Sequence, residues 1–358
     1  MTTGFSGRIQ LATRDDLDAV GRLLPDLAGP LFQQRFPGQT VADFCCWKYF
    51  TNPVGDAAVG IAMEGQRVIS LVAGMPKRVQ IGSEVVLAFE LGDFITAPEY
   101  RKRGLFSKLI NMVCEESLRR GATFAYVRPN DSSFPILTTG LSFSEVQRID
   151  ERRYVTPSSV IHRKLRVAPT VLRALGLDWL ALRRVLPSAM NSVTVKQVAR
   201  FGQEMDELWK RSCRQYSFAL VRDSSYLNWR YADCPTPFQL WVAYRGGDAA
   251  GYVTVFIQQS EPVGYIVDLF TDAEDAPAAA ALLRSAMEAM FAKGVQRIYA
   301  WTPQIGALPA SARALKRACP LVATPHLHVA MRFLDPQINA SRFSEAPWQL
   351  TLGDFDGL

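Results

Sequence analysis

The sequence has few residues suited to holding a metal and no segment suited to crossing a membrane. Its six cysteines include no C-x-x-C pair and only three histidines are present, so neither a zinc site nor a redox dithiol is expected. No stretch of about 18 apolar residues is free of charge. The first ten residues, MTTGFSGRIQ, lack the basic and apolar parts of a signal peptide. We expect reduced thiols, no metal, no integral membrane segment and a cytoplasmic protein.

The charge balance argues against a nucleic-acid partner. The formal net charge is +6 over 358 residues, and the sequence has neither a zinc-finger spacing nor the aromatic and basic stripe that holds single strands. A charge of this size suits a small anionic ligand. With 48% hydrophobic and 21% charged residues, the chain is long enough for two folded domains of roughly 150 residues each.

The two halves of the sequence share one order of segments. Each has an aromatic motif, a hairpin-like stretch, an apolar strand with an embedded acid, a helix and a buried strand. The paired segments are 43–49 with 225–231, 60–74 with 240–254, 91–95 with 267–270, 104–120 with 276–293, and 124–129 with 298–303. This repeat predicts two α/β domains. Its paired aromatic residues are expected in the core, with a sugar-binding cleft as the alternative, and they are Trp47, Tyr49, Trp229 and Tyr231.

The repeat divides the chain into a first domain at 1–150, a basic connector at 151–195 and a second domain at 196–358. The connector has apolar residues at helical spacing, with Arg173, Arg183 and Arg184 among them. Such a helix either packs its apolar face on the domains or lies on an anionic lipid surface. We favour the packed arrangement. The oligomeric state stays open, and a monomer is compatible with domains that pair within one chain.

Residues 90–109 have the features of an anion-binding loop. An apolar strand ends at Thr96, a proline turn follows, and Arg101, Lys102, Arg103 and Gly104 precede an amphipathic helix. Free N–H groups and the helix dipole attract an anion to a helix start. Gly104 permits close approach and the basic side chains neutralise charge. The loop predicts a pyrophosphate site, with a solvated basic loop as the alternative.

This segment resembles motif A of the GNAT N-acetyltransferase superfamily, V-x-P-x-x-[QR]-x-x-G-x-[GA], which holds the pyrophosphate of coenzyme A. Arg101 and Gly104 stand at its [QR] and first G positions, whereas Phe106 stands where Gly or Ala is usual. The chain also resembles a bacterial tandem-GNAT subgroup in 47–55, WKYFTNPVG, and in 348–356, WQLTLGDFD. Members of that subgroup are linked to polysaccharide and amino-sugar biosynthesis.

The resemblance implies tandem α/β domains with mixed sheets and an acyl-CoA-dependent N-acyltransferase. The donor would be acetyl-CoA or another acyl-CoA, and the acceptor a small amine, with amino sugars and nucleotide-linked amino sugars as the associated class. The residues that it places at the cofactor are Phe94, Ile95, Thr96, Arg101, Lys102, Arg103, Gly104, Leu105, Phe106, Asn130 and Ser133. Asn130 and Ser133 are equally explained as a turn that caps the next helix.

An acid on the strand before the loop serves as the base in the superfamily, which makes Asp93 and Glu90 the catalytic candidates. They lie on opposite faces of a strand of period two unless a bulge intervenes. We favour Asp93 because Asp268 repeats it, although a repeated acid also fits a structural role. The superfamily's usual acid, a Tyr, is replaced by Thr138. Tyr126, Ser133 or a group of the substrate would have to substitute for it.

The second copy lacks the anion-binding loop. Its segment 271–278, TDAEDAPA, has three carboxylates and no Lys, Arg or Gly, and these carboxylates would repel a pyrophosphate. We expect one active site per chain, with the second domain as a scaffold or a wall of the acceptor site. Two other functions stay open: a non-catalytic acyl-CoA-binding or assembly protein, and a Fem-like aminoacyl transferase, which would not need the loop.

Overall fold

The described residues of the first half form six strands and the helices between them. The computed structural model describes residues 6–24, 39–166, 168, 171–172, 175–186, 193–258, 260–335 and 347–355. The strands of the first half are β1 (Arg8–Leu11), β2 (Ala58–Glu64), β3 (Arg67–Ile81), β4 (Glu84–Thr96), β5 (Phe124–Val127) and β6 (Ser144–Val155). Its described helices are α1 (Leu17–Leu23), α2 (Val41–Phe50), α3 (Leu105–Arg119) and α4 (Phe134–Gly140).

The second half repeats this order after a helical connector. The connector helices are α5 (Pro157–Leu165) and α6 (Leu177–Val185). The strands that follow are β7 (Thr194–Val198), β8 (Phe218–Leu220), β9 (Gln239–Arg245), β10 (Asp248–Ile257), β11 (Val263–Thr271), β12 (Arg297–Pro303), β13 (Leu321–Phe333) and β14 (Trp348–Gln349). The helices are α7 (Glu204–Ser212), α8 (Ser224–Leu227), α9 (Ala276–Ala292) and α10 (Ala310–Ala318). Two α/β domains with a mixed sheet are thereby confirmed.

The helix after the basic loop shows why these segments fold as they do. The buried residues of α3 recur three and four positions apart, and they are Leu105, Leu109, Ile110, Val113, Cys114 and Ser117. They form one stripe along the helix, which packs on the strands of the first half together with Phe89 and Leu91 of β4. This packing fixes the start of α3 beside the end of β4.

One mixed sheet runs through both halves, in the order β1-β2-β3-β4-β5-β13-β6-β12-β11-β10-β9-β7. The last strand of each half has changed places, because β13 pairs with β5 and β6 pairs with β12. The two exchanged strands also pair with each other, with Ile149 opposite Leu327. The boundary that the repeat predicts at residue 150 therefore falls inside β6, a strand whose partners among the described strands, β12 and β13, both belong to the second half.

The repeated aromatic motifs meet at the centre of the molecule. The rings of Trp47 and Trp229 stack with centroids 5.5 Å apart. Trp47 Nε1 donates to the Trp229 carbonyl at 3.1 Å, and Trp229 Nε1 donates to the Trp47 carbonyl at 3.3 Å. Tyr49 and Tyr231 are buried. The reciprocal contact is what an approximate two-fold axis between the halves produces, and it places these aromatics in packed interiors rather than in an open cleft.

The connector packs on the second half in part. Leu182 and Leu186 are buried in its core, and Asp178 accepts hydrogen bonds from the N–H and hydroxyl of Ser158 at 2.9 and 2.6 Å. Arg183 and Arg184 are exposed, while Arg173 lies outside the described residues. Three leucines of the connector remain exposed, and they are Leu165, Leu175 and Leu180. No helix within the described ranges is long and apolar enough to cross a membrane.

Candidate active site

Strands β4 and β5 run side by side only at one end. Three parallel pairs join them, and the last pair is Glu90 with Tyr126. Beyond it β4 continues beside β3 as far as Thr96, and in the described part of the chain no strand pairs with its other edge. The two strands therefore splay apart into a groove. The second half has the same geometry, because β11 and β12 stop pairing at Ile266 and Ala300.

The basic loop follows directly where β4 ends. Gly104 precedes α3 with φ of 74°, and a Cβ added there would meet no atom within 4 Å. Lys102 also has positive φ, 61°. The first N–H groups of α3 have no acceptor within the helix, so they are available to an anion. The loop thus combines exposed cations with an open helix start.

The residues predicted to hold the cofactor differ in exposure. Arg101, Lys102, Arg103 and Gly104 are exposed, whereas Phe94, Ile95, Thr96, Leu105 and Phe106 are partly or fully buried. Arg101 Nε donates to the Thr96 carbonyl at 3.2 Å, which ties the loop to the strand end. Phe106 meets the ring of Phe94 edge to face at 5.1 Å. An aromatic contact thus replaces the small residue that the motif usually has there.

Asp93 lies in a bulge of β4. The pairing register shifts between Leu71 and Ala73 of β3, and Asp93 itself has φ of 51°. Lys48 Nζ lies 2.9 and 2.8 Å from the two carboxylate oxygens, and the Tyr49 hydroxyl donates at 2.7 Å. Helix α2 therefore holds this carboxylate through two consecutive residues.

Glu90 is buried at 3% exposure, with its carboxylate 3.5 Å from Lys77 Nζ. Lys77 also donates to the Tyr226 hydroxyl at 3.0 Å. Burial alone would lower the pKa of Lys77, but Tyr226 and Glu90 outweigh it and the pKa is raised, so the ammonium persists. Lys77 lies two residues beyond Met75 and therefore on the same face of β3. Met75 packs with α2, the helix that also holds Asp93. The bulge therefore brings Glu90 and Asp93 to one face of β4.

The hydroxyls of Tyr126, a candidate acid, and of Thr138, which stands at the position of the superfamily's usual acid, both make hydrogen bonds. The Tyr126 hydroxyl donates to the Asp354 carbonyl at 3.2 Å, and burial, followed by the charge of Glu90, raises its pKa well above the usual range. Thr138 Oγ1 donates to the Phe134 carbonyl within its own helix at 2.9 Å. Of the two, only Tyr126 lies at the point where β4 and β5 separate.

Asn130 and Ser133 form a closed turn at the start of α4. The Asn130 side-chain oxygen accepts from the N–H groups of Ser132 and Ser133 at 3.1 and 2.9 Å. Ser133 Oγ contacts the same side-chain oxygen at 3.1 Å. The turn expected as one alternative is thus present directly before α4, and a contact of these residues with coenzyme A stays a prediction.

The equivalent helix start in the second half contains a carboxylate of the chain itself. Asp275 accepts from the N–H of Ala278 at 3.0 Å, which caps α9. Arg245 binds the same carboxylate with two hydrogen bonds of 2.7 and 2.8 Å. Of the two other acids in this segment, Glu274 pairs with Arg313 at 2.7 Å. A charged group thus occupies the place that an anion would take.

The C-terminal segment fills the groove of the second half. The Gln349 amide donates to the Leu269 carbonyl of β11 at 2.6 Å, and Ser311 Oγ of α10 lies 3.2 Å from the Gln349 oxygen. Gly353 passes so close to Tyr231 that a Cβ would lie 2.1 Å from its hydroxyl. Sequence reasoning missed this role, although the acidic tail motif was its visible signal.

A buried ion cluster holds this segment in place. Arg222, 2% exposed, contacts Asp354 at 2.6 Å and Asp268 at 3.3 Å. Thr351 Oγ1 also donates to Asp268 at 3.0 Å. The Asp268 carboxylate is therefore fully engaged by groups of the chain itself. Nothing in the local sequence around Arg222 indicated that it would join residues so far apart.

The chain matches two family models of acetyltransferases, one in each half. Residues 9–139 match a GNAT acetyltransferase domain, and residues 203–313 match the GNAT acetyltransferase family. No curated protein is significantly similar to the chain in sequence. Among the described residues, no group of three or more His, Cys, Asp or Glu side chains is arranged to hold a metal ion.

Solved structures share the fold at low sequence identity. A probable N-acyltransferase from Enterococcus faecalis V583 is 15% identical over 93% of this chain and 74% of its own, with a TM-score of 0.63. A GCN5-related N-acetyltransferase from Anabaena variabilis is 14% identical over 95% and 75%, with a TM-score of 0.61. Saccharomyces cerevisiae N-myristoyltransferase with bound myristoyl-CoA is 12% identical over 93% and 84%, with a TM-score of 0.59.

These findings define the class of the protein as a tandem GNAT protein, with one GNAT domain in each half of a continuous sheet. The chain is an N-acyltransferase of the general kind that uses an acyl-CoA as its co-substrate. The superfamily and the enzyme class predicted from the basic loop are thereby confirmed.

Proposed function

We propose that the first half binds the acyl-CoA at Arg101–Phe106 and transfers its acyl group to the amine of a small acceptor between the two halves. The observation that carries this assignment is the contrast between two helix starts. That of α3 is open beside Gly104, whereas that of α9 is filled by Asp275 and Arg245. The chain then has one active site. The acceptor class is an amino sugar or nucleotide-linked amino sugar, used in cytoplasmic polysaccharide biosynthesis.

The groove supports one orientation of the donor. The pyrophosphate lies against the open N–H groups of α3 and the exposed basic side chains. The pantetheine arm follows the free edge of β4, where the backbone of Phe94, Ile95 and Thr96 offers hydrogen-bonding groups. The thioester then reaches the point where β4 and β5 separate, beside Glu90 and Tyr126.

The chemistry requires one proton acceptor near the amine. The amine nitrogen attacks the thioester carbonyl carbon, a C–N bond forms, the C–S bond breaks, and coenzyme A departs as a thiolate that takes up a proton. We assign the base to Glu90, because it lies in the last residue pair before β4 and β5 separate, whereas both carboxylate oxygens of Asp93 accept hydrogen bonds from Lys48 and Tyr49. The Lys77 ammonium, 3.5 Å from the Glu90 carboxylate, is a counter-charge beside the group that takes the proton from nitrogen.

The free thiol released by transfer provides the test. The full chain is incubated with acetyl-CoA and longer acyl-CoAs against a panel of amino sugars and nucleotide-linked amino sugars, and thiol is measured with a colorimetric reagent. We expect release that depends on the amine. Tight binding of coenzyme A without thiol release for any amine would instead favour a non-catalytic acyl-CoA-binding protein.

A further inference from the structure

Arg128 lies directly after β5, at the mouth of the groove that carries the proposed chemistry. It follows Val127, the last residue of β5, and stands two positions beyond Tyr126, which pairs with Glu90. Two residues of extended chain span about 7 Å. The backbone of Arg128 is therefore within the length of a small molecule of the point where β4 and β5 separate. Ligands of open α/β sheets bind at such carboxyl ends of strands.

The guanidinium of Arg128 is partly buried, and its contact is with an aromatic face. Its Cζ lies 5.1 Å from the ring centroid of Trp301, a residue of the second half. Within the described ranges, no carbonyl, hydroxyl or carboxylate accepts a hydrogen bond from it. A guanidinium over a ring is held in position, while its N–H donors still point outward around the edge.

Two fully buried arginines, Arg222 and Arg230, have partners that match their donors. Arg222 binds Asp354 and Asp268, and Arg230 donates to the carbonyls of Gly353 and Phe355. Leaving charged donors unpaired below the surface is costly. The chain therefore supplies the hydrogen-bond partners of these two arginines itself. In its described part it supplies none to Arg128, the arginine beside the groove, so a bound ligand is the expected partner.

Two carboxylates act on Arg128 without accepting a hydrogen bond from it. Glu90 and Glu151 interact with it through space and oppose the lowering of its pKa by burial, so a cationic amine and an anionic group both find a counter-charge within one site. Glu90 is engaged by Lys77, and Glu151 accepts from Thr324 at 2.9 Å. Carboxylate and phosphate fit the planar edge of a guanidinium with two parallel hydrogen bonds.

We propose that Arg128 binds an anionic group of the acceptor, a carboxylate or a phosphate, so that the substrate is an amine that also carries an acid group. The inference rests on the proposed function for the identity of the site as an acceptor site. It narrows the substrate class, because an amino sugar without an acid group would leave the guanidinium edge without a partner.

Calorimetry on the full chain tests this assignment, both without and with saturating coenzyme A. The probes are glucosamine 6-phosphate, muramic acid, glucosamine and glucose 6-phosphate; comparison of the first two separates phosphate from carboxylate. We expect at least one anionic amine to bind about 10-fold or more tightly than glucosamine, in line with a charge-assisted hydrogen bond. Arg128→Met should remove this preference, and Arg128→Lys should retain part of it.

Arg200→Met is the matched control, since Arg200 is an exposed arginine paired with Asp233 in the second half; it should keep the full preference. Three outcomes would overturn the assignment. Glucosamine and both anionic amines would bind equally, or neither anionic amine would bind, or the preference would survive in a folded Arg128→Met variant. Failure of the proposed function looks different: coenzyme A would not bind or thiol would not be released, while the anion preference at Arg128 persisted.

Discussion

The two halves of the chain differ most at the start of the helix that follows the splayed strand. Helix α3 begins after Gly104, where a Cβ would meet nothing within 4 Å. Helix α9 begins after Asp275, whose carboxylate accepts from the Ala278 N–H and binds Arg245 with two hydrogen bonds. A pyrophosphate would have to displace that ion pair. The same fold thus has one helix start that is open to an anionic ligand and one that is occupied by a carboxylate of the chain itself.

The acids of the two splayed strands teach a related lesson. Asp93 accepts from Tyr49, and Asp268 accepts from Tyr231, the matching tyrosine of the repeat. This contact persists in the half whose helix start is occupied by Asp275, which marks it as structural. At the last strand pair, in contrast, Glu90 has Ile266 as its counterpart. An acid confined to the open half is the better candidate for the base, so our preference moves from Asp93 to Glu90.

The largest expected effect comes from closing the open helix start. Gly104→Glu combined with Arg101→Ala adds an internal carboxylate and removes a cation, which imitates the second half. We expect coenzyme A affinity to fall by about 100-fold or more, since charge-assisted contacts contribute about 1.5–3 kcal/mol each. Titration calorimetry on the wild type should show one site per chain.

Gly82→Glu is the control for this variant, because Gly82 also has positive φ, 56°, and open space around it. It imposes the same backbone strain and adds the same charge away from the loop. Two sites per chain in the wild type, or full affinity in the double variant, would contradict the comparison between the two helix starts.

The next effect separates the two acids. Glu90→Gln should lower kcat by about 100-fold or more, as removal of a general base does, with the Kd for coenzyme A unchanged. Asp93→Asn should act mainly on stability, because it breaks the ion pair with Lys48. The readouts are thiol release and the midpoint of thermal unfolding.

Glu90→Gln also leaves the Lys77 ammonium buried without its counter-charge, which destabilises a protein. The double variant Glu90→Gln with Lys77→Met removes both charges and should recover stability without recovering activity. If Glu90→Gln kept full kcat while Asp93→Asn lost it, the base would be Asp93, and the lesson drawn from Asp268 would be wrong.

A smaller effect concerns the segment that fills the second groove. In Gly353→Ala the new Cβ would lie 2.1 Å from the Tyr231 hydroxyl, and overpacking of this kind costs about 1–3 kcal/mol. Urea unfolding should show that loss, while calorimetry still finds one coenzyme A site, because Asp275 continues to occupy the helix start. Gly140→Ala, in open space, is the control. A second coenzyme A site in Gly353→Ala would mean that the C-terminal segment alone prevents binding in the second half.

Much of the architecture could be predicted because its signals are local. Consecutive residues specify the end of β4 at Thr96, the basic loop and the buried stripe of α3, and the repeat supplies the strand and the helix twice. The exchange of β6 and β13 could not be predicted in this way. Either strand satisfies the edge of either half with the same kind of backbone hydrogen bonds, so only the complete assembly selects the pairing.

The site shows the same division between local and distant causes. The open loop and both candidate acids were identifiable from sequence, whereas the bulge that turns Asp93 and Glu90 to one face depends on the register against β3. The tail contacts of Arg222 join residues separated by 132 positions. No local pattern specifies such a contact, because its energy comes from burial and pairing in the folded chain.

The smallest expected effect lies between the exchanged strands. Glu145 on β6 binds Arg148 with hydrogen bonds of 3.0 and 2.8 Å and contacts His328 on β13. The Arg148 hydrogen bond is the main cause that lowers the pKa of Glu145 from 4.5 to about 2. Ionised Glu145 therefore stabilises the fold above pH 4.5, and this contribution is lost as the pH falls from there to about 2.

We expect Glu145→Gln to lower the free energy of unfolding at pH 7 by less than about 1 kcal/mol, because ion pairs open to solvent contribute little. Urea unfolding at a series of pH values below 7 should show the difference from the wild type narrowing once the pH drops below the unfolded-state pKa. Glu115→Gln, at an exposed position on α3, is the matched control. A difference that stayed constant across the series would mean that Glu145 joins the exchanged strands through packing rather than through its charge.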